Sequence, residues 1–185
     1  AAFTDGHPFF LQTLTSHLRE RALVKSESTL SQMTLEEVFL KLLYESQGIL
    51  NQYFMKLISP WTQTGSRGGP LLALTVLAGG TNKLTSIAYA LNRSQAETSK
   101  LLQELMEHEL LIKTGVFYRF HNKMFRFWLK EVYEYRELSL LGAVNKAEGF
   151  ARRMGEITAQ HEALLKLDII DRVSQLFSTF SNDLI

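Results

Sequence analysis

Apolar residues recur at intervals of three and four along most of this chain, the period of helices with one buried face. The first run starts at Pro8, where a missing N–H costs a helix nothing. It carries Phe9, Leu11, Leu14 and Leu18 to about Arg21, with Asp5-Gly6-His7 as the loop that feeds it. Thr34 with Glu37 makes a capping-box pattern ahead of Leu35, Val38, Phe39, Leu42 and Leu43. After Ser46-Gln47-Gly48 the stripe resumes with Ile49, Leu50, Tyr53, Phe54 and Leu57. The prolines at 8, 60 and 70 all stand where a helix is expected to begin or to have ended.

The stretch TQTGSRGGP, 62–70, concentrates glycine and proline between two periodic regions and reads as a domain linker. Beyond it Leu71, Leu72, Leu74, Val76 and Leu77 predict a buried helix that stops at Gly79-Gly80, and Thr85, Ile87, Ala88 and Leu91 predict the next. Asn92-Arg93-Ser94 joins that helix to a third, which opens with a capping box at Ser94 and Glu97 and buries Thr98, Leu101, Leu102 and Leu105. LLIKTGVFYRFH, 110–121, then reads as two short strands pivoting near Thr114-Gly115. Three helices and a hairpin in that order are the plan of a winged helix-turn-helix.

From Asn122 to about Leu141, Met124, Phe125, Trp128, Leu129 and Val132 recur at helical spacing, with Arg126 and Lys130 on a solvated face near Glu131 and Glu134. Two further helices are expected at about 144–158 and 160–180, the second carrying Leu164, Leu165, Ile169, Val173, Leu176 and Phe177. The expected fold is mainly α. A helical lid-like segment spans 1–61, a winged helix-turn-helix with a short β-hairpin spans 66–135, and a C-terminal helical extension spans 136–185.

Composition narrows the chemistry. A chain of 185 residues with 45% hydrophobic side chains can bury a substantial core. No apolar run is long enough to cross a bilayer, and AAFTDGHPFF lacks the pattern of a signal peptide, so the expected compartment is the cytoplasm, without a membrane partner. The absence of cysteine excludes disulfides and thiolate chemistry, and five scattered histidines without HExxH give no expectation of a metal site. The net charge of +1 conceals a gradient: 1–69 is neutral, 70–130 carries +4 and 131–185 carries −3. A modestly basic middle is compatible with a phosphate-facing surface.

On the winged segment, Gln95, Ser99, Lys100 and Gln103 are expected on the outer face of the third helix, able to donate to base edges or phosphates. Arg93 in the turn, and Lys113, Arg119 and Lys123 on or beside the wing, would meet the flanking DNA backbone. Glu97, Glu104 and Glu107 on the same helix oppose that docking, and the same fold serves equally well for protein contact. No catalytic residue is expected: GxSxG is missing and the histidines are isolated in sequence. Neither GSRGGP nor AGGTNK fits GxxxxGK[ST] or follows a strand, so no phosphate loop is expected within the chain. The aromatic block FYRFHNKMFRFW has the spacing of core packing rather than of a base-stacking platform.

Two segments, in order, carry a family resemblance. TDGHPFFLQTL, 4–14, resembles the lid segment with a glycine-x-proline motif in P-loop ATPases of the STAND class and their archaeal-type relatives. The run 84–129, and above all its aromatic-Arg-aromatic lead into FRFWL, is similar to the winged-helix domain that follows the lid in those proteins. The resemblance covers about 4–135 and fades beyond it. It implies the C-terminal lid and winged-helix portion of a larger ATPase, whose nucleotide-binding core would lie upstream and act with ATP, ADP and Mg²⁺; this chain by itself would need no cofactor and perform no hydrolysis. By the same resemblance Gly6, His7 and Pro8 approach the adenine side of the nucleotide, and His121 reaches the ADP phosphates. Two positions depart from the pattern: Asn122 stands where an aspartate is frequent, and Glu109 where a glycine commonly ends the third helix.

The expected function is therefore a non-catalytic module that senses nucleotide state and presents a surface for double-stranded DNA. The alternatives are a freestanding winged-helix DNA-binding regulator, and a protein-interaction or self-association module working through the C-terminal helices.

Overall fold

A computed structural model describes residues 4, 6–26, 31–62, 69–138, 146–166 and 171. The chain is mainly helical with one two-stranded hairpin. In order come α1 (Pro8–Lys25), α2 (Gln32–Phe39), α3 (Ile49–Thr62), α4 (Gly69–Ala78), α5 (Leu84–Ala90), α6 (Gln95–Glu107), β1 (Leu111–Thr114), β2 (Phe117–Phe120), α7 (Lys123–Trp128) and α8 (Lys146–Lys166). α2 continues into a π-helical turn at Leu40–Tyr44, and α7 into a π-helical stretch at Leu129–Leu138.

Several boundaries differ from those the sequence suggests, each for a local reason. Ser31, not Thr34, caps α2: its hydroxyl accepts from the Thr34 amide at 3.1 Å, which puts Thr34 inside the first turn, buried. Glu37 is thereby released from any capping role and accepts from Arg21 at 2.9 Å and Lys25 at 2.8 Å. The hydrogen bonds from Lys25 and then Arg21 hold its carboxyl below the usual carboxylate range. These pairs explain why α1 runs past Arg21 to Lys25, and Phe10 and Leu14 form its buried face while Leu11 is exposed. Pro60 lies inside the last turn of α3 rather than beyond it. One uninterrupted helix, α8, replaces the two expected to meet near residue 159. Ile169, Val173, Leu176 and Phe177, and residues 63–68 of the expected linker, lie outside the described residues.

The winged arrangement is built from two helix ends. α5 closes with Arg93 N–H donating to the Ala88 carbonyl and Asn92 N–H to that of Tyr89, both at 3.0 Å, with Asn92 at φ +51°. This is a Schellman ending in which asparagine takes the left-handed position. Two residues on, α6 starts with a reciprocal capping box: the Ser94 hydroxyl accepts from the Glu97 amide at 3.2 Å and the Glu97 carboxylate from the Ser94 amide at 3.1 Å. β1 and β2 pair antiparallel from Leu111↔Phe120 to Thr114↔Phe117 around Gly115 at φ +60°. A bridge between Lys83 and Phe117, with Tyr118 N–H donating to the Asn82 carbonyl at 2.8 Å, ties the wing to the start of α5.

A single apolar cluster runs from Phe10 in α1 to Met154 in α8. At its centre Phe54 of α3 lies 5.5 Å, ring to ring, from both Phe125 and Trp128 of α7. The buried Trp128 indole donates to Asn51 Oδ1 at 2.8 Å, and the Asn51 amide donates to the Ser46 carbonyl at 3.2 Å. Asn51 is thus a polar residue on the buried face of α3 whose role is to satisfy a tryptophan from a distant helix. Arg126 and Glu131 are structural rather than merely solvated: Arg126 Nε donates to the Ala78 carbonyl at the end of α4 at 3.4 Å, and Glu131 pairs with Arg153 of α8 at 3.3 Å.

Replacing Asn51 by alanine leaves the Trp128 N–H without its acceptor and is expected to lower unfolding stability by about 1–3 kcal/mol. In a Trp128→Phe background the same replacement should cost clearly less. Equal losses in both backgrounds, measured by denaturant unfolding, would show that the hydrogen bond contributes nothing.

Candidate functional site

Four segments distant in sequence converge on one cleft of about 510 Å³. Thr4, Gly6, His7 and Pro8 supply one wall at the start of α1. Tyr53 and Leu57 of α3 and Phe125 of α7 supply an apolar wall. The turn His108-Glu109-Leu110 and the junction His121-Asn122 close it beside the base of the hairpin. Gly6, His7, Pro8 and His121, which the family resemblance assigns to nucleotide, all line this space.

Local chemistry fixes each wall. At the start of α1, His7 N–H donates to the Thr4 carbonyl at 2.8 Å, and Gly6 takes φ +76° in the resulting turn, a conformation open to glycine at little cost. Pro8 then occupies the first helical turn, and the His7 ring rests 4.7 Å from that of Phe10. Tyr53 leans on Phe9 at 5.2 Å and on Phe54 at 5.3 Å, so its half-exposed ring is a flat apolar surface at the cleft. Asn122, standing in place of the frequent aspartate, still caps α7: its side-chain oxygen accepts from the Phe125 amide at 3.1 Å.

Glu109 occupies the glycine-favouring position with the backbone that position demands, φ +57°. Leu110 N–H donates to the Leu105 carbonyl at 3.0 Å and Glu109 N–H to that of Met106 at 2.9 Å, a Schellman ending for α6. The turn into the wing is therefore kept, with Glu109 in a strained conformation. His108 is the C-cap of α6, and its ring meets the edge of Trp61 at 5.0 Å and 85°. Trp61 is itself held by its indole N–H, which donates to Glu104 at 2.6 Å.

Sequence reasoning did not place Tyr53, Leu57, His108 or Glu109 at this site. Tyr53 and Leu57 belong to a helical stripe that reads as core, and no periodicity shows that α3 ends its buried face at a cleft. His108 and Glu109 come within reach only because the wing folds back on α6, where His121 N–H donates to the Leu110 carbonyl at 2.9 Å. Among the described residues no group of three or more histidine and acidic side chains is arranged to hold a metal ion, and no helix is long and apolar enough to cross a membrane.

The second candidate surface is the outer side of α6 and the wing. Arg93, Gln95, Ser99, Lys100, Gln103, Lys113, Arg119 and Lys123 are all exposed. They are not equally available. The Arg93 guanidinium lies beside Gly69 at the start of α4, 3.3 Å from where a Cβ on Gly69 would stand. Gln103 donates to Glu107 at 3.2 Å, Arg119 to the Thr114 hydroxyl at 2.8 Å, and Lys113 sits 5.3 Å from the Tyr118 ring centre. Of the opposing acids, Glu104 turns inward to Trp61, and Glu97 is held by Ser94, whose side-chain and backbone hydrogen bonds keep its carboxyl below the usual range and hence charged.

No protein-family model matches the chain, and neither a curated protein nor a solved structure matches it.

Glu109→Gly is expected to raise unfolding stability by about 1 kcal/mol, because glycine adopts a positive φ without the steric cost that a Cβ imposes. Glu109→Ala should give no such gain. A thermal or denaturant midpoint that rises equally for both would trace the effect to the lost carboxylate rather than to the backbone.

Proposed function

We propose that this chain is the lid and winged-helix portion of a cytoplasmic STAND-class ATPase, a non-catalytic module that senses nucleotide state. The observation that carries the reading is the convergence of Gly6, His7, Pro8 and His121 on one cleft, although they come from the two separate segments in which the resemblance lies. The division of the cleft suits a nucleotide. The Tyr53 ring and Leu57 offer a flat apolar surface to a base, while imidazoles can donate to phosphate oxygens.

In this reading an upstream core binds ATP or ADP with Mg²⁺ and performs the chemistry, and the cleft closes over the exposed side of the nucleotide. Bound ADP would then bridge the core and the winged unit, and its exchange would release them, an order-of-contacts switch of the kind nucleotides drive elsewhere. His121→Ala in the protein carrying its upstream core should weaken ADP about tenfold, the loss expected for one hydrogen bond to a charged phosphate. Unchanged ADP affinity would reject a phosphate role for His121.

A second reading, double-stranded DNA as a partner of the α6 face, is favoured by the engagement of Glu104 with Trp61, which takes one carboxylate off the outer side of that helix. Lys100 and Lys113 would meet phosphates and Gln95 and Ser99 base edges. A gel-shift titration at low salt should detect binding that falls as salt rises, and Lys100→Glu with Lys113→Glu should abolish it. Retention by the double variant, or no shift with the original chain, would remove DNA from the list of partners.

A further inference from the structure

The cleft holds one more imidazole than the family resemblance accounts for. His108 lines it together with His7 and His121. Among the described residues the ring nitrogens of all three have no hydrogen-bond partner, whereas His17, outside the cleft, is 2.8 Å from the Thr13 carbonyl through Nδ1. His108 is also positioned. It is the C-cap of α6, and its ring is braced against Trp61 at 5.0 Å. Trp61 is in turn fixed by Glu104, one turn before His108 on the same helix.

The backbone brings His108 and His121 to the same end of the cleft. His121 N–H donates to the Leu110 carbonyl at 2.9 Å, closing the base of the hairpin directly after the Schellman turn that His108 begins. Tyr53 and Leu57 lie on α3, which contributes the apolar wall. The lining therefore has a polar end with two imidazoles from different elements and an apolar wall with an aromatic ring. Among the described residues the ionisable side chains lining the cleft are His7, Tyr53, His108, Glu109 and His121, with Glu109 the carboxylate among them.

We propose that His108 is a further ligand-contacting residue of this cleft, donating with His121 to the phosphate groups of a nucleoside diphosphate. The proposal rests on the nucleotide reading above and adds to it a contact residue at the C-terminal end of α6. Glu109, beside it in sequence, would repel the same phosphates, which sets an opposite sign for its removal.

The test is a titration of the 185-residue chain with ADP and with inorganic pyrophosphate, followed by NMR of the histidine ring carbons and protons. The five histidine signals are assigned by the His7→Gln, His17→Gln, His108→Gln, His121→Gln and His161→Gln variants, any four of which leave the fifth identified by elimination. The ring signals of His108 and His121 should move together with both ligands at millimolar concentration, and those of His17 should stay still. His108→Gln should weaken pyrophosphate about tenfold, as for loss of one hydrogen bond to a charged group, and Glu109→Gln should strengthen it. Movement of His7 and His121 with His108 unmoved would overturn this inference and leave the nucleotide reading standing. No movement of any of the three with either ligand would overturn this inference, and the nucleotide reading would still stand or fall by the ADP affinity of His121→Ala in the protein carrying its upstream core. Because the ring signals are read in the unsubstituted protein, a failure of His108→Gln to fold leaves the test intact.

Discussion

The hydrogen bond from the buried Trp128 indole to Asn51 is the interaction on which the arrangement of the chain turns. A tryptophan can be buried whole only if its N–H finds an acceptor, and the acceptor here comes from a helix far away in sequence. With the partner fixed, Phe54 has no choice but to lie against Phe125 and Trp128, and α3 and α7 are locked at one relative position. That position is what brings Tyr53 and Leu57 of α3 into one cleft with Phe125 of α7 and His121, so the cleft is a by-product of how the core is satisfied.

The same locking bears on how a switch would operate. The apolar cluster passes without interruption from α1 through α3, α4 and α7 to α8, with Arg126 tied to α4 and Glu131 to α8. Closely packed interiors move as units rather than deforming continuously. In the proposed nucleotide switch, the helical segment and the winged segment would therefore travel together against the upstream core. The polar end of the cleft, built from a helix C-cap and a hairpin base, offers the contact by which nucleotide would bias that motion.

Charge on the winged segment is arranged by local hydrogen bonds more than by composition. The basic excess of the middle of the chain reads as uniform along the sequence, yet Arg93 is drawn to α4 and Arg119 is used within the hairpin. The acids are rearranged as well: Glu97 serves the helix cap and Glu104 serves Trp61. What remains outward-facing and available on α6 is a smaller group centred on Gln95, Ser99 and Lys100.

Local rules in the sequence determined the helices up to α7, their order, the joint at Asn92-Arg93-Ser94, the capping box at Ser94 and the hairpin around Gly115, because each depends on residues within a few positions of one another, while they split α8 into two. They also marked Gly6, His7, Pro8 and His121 as residues of interest, through a resemblance and not through geometry. They misjudged the cap of α2 and the end of α1, where a choice between Ser31 and Thr34 depended on Glu37 having partners on another helix. Only the tertiary structure decided that His108, Glu109 and Tyr53 share a cleft with the marked residues. Nothing within a helical period encodes which exposed side chains will face each other once Trp128 has found Asn51 and the wing has closed on α6.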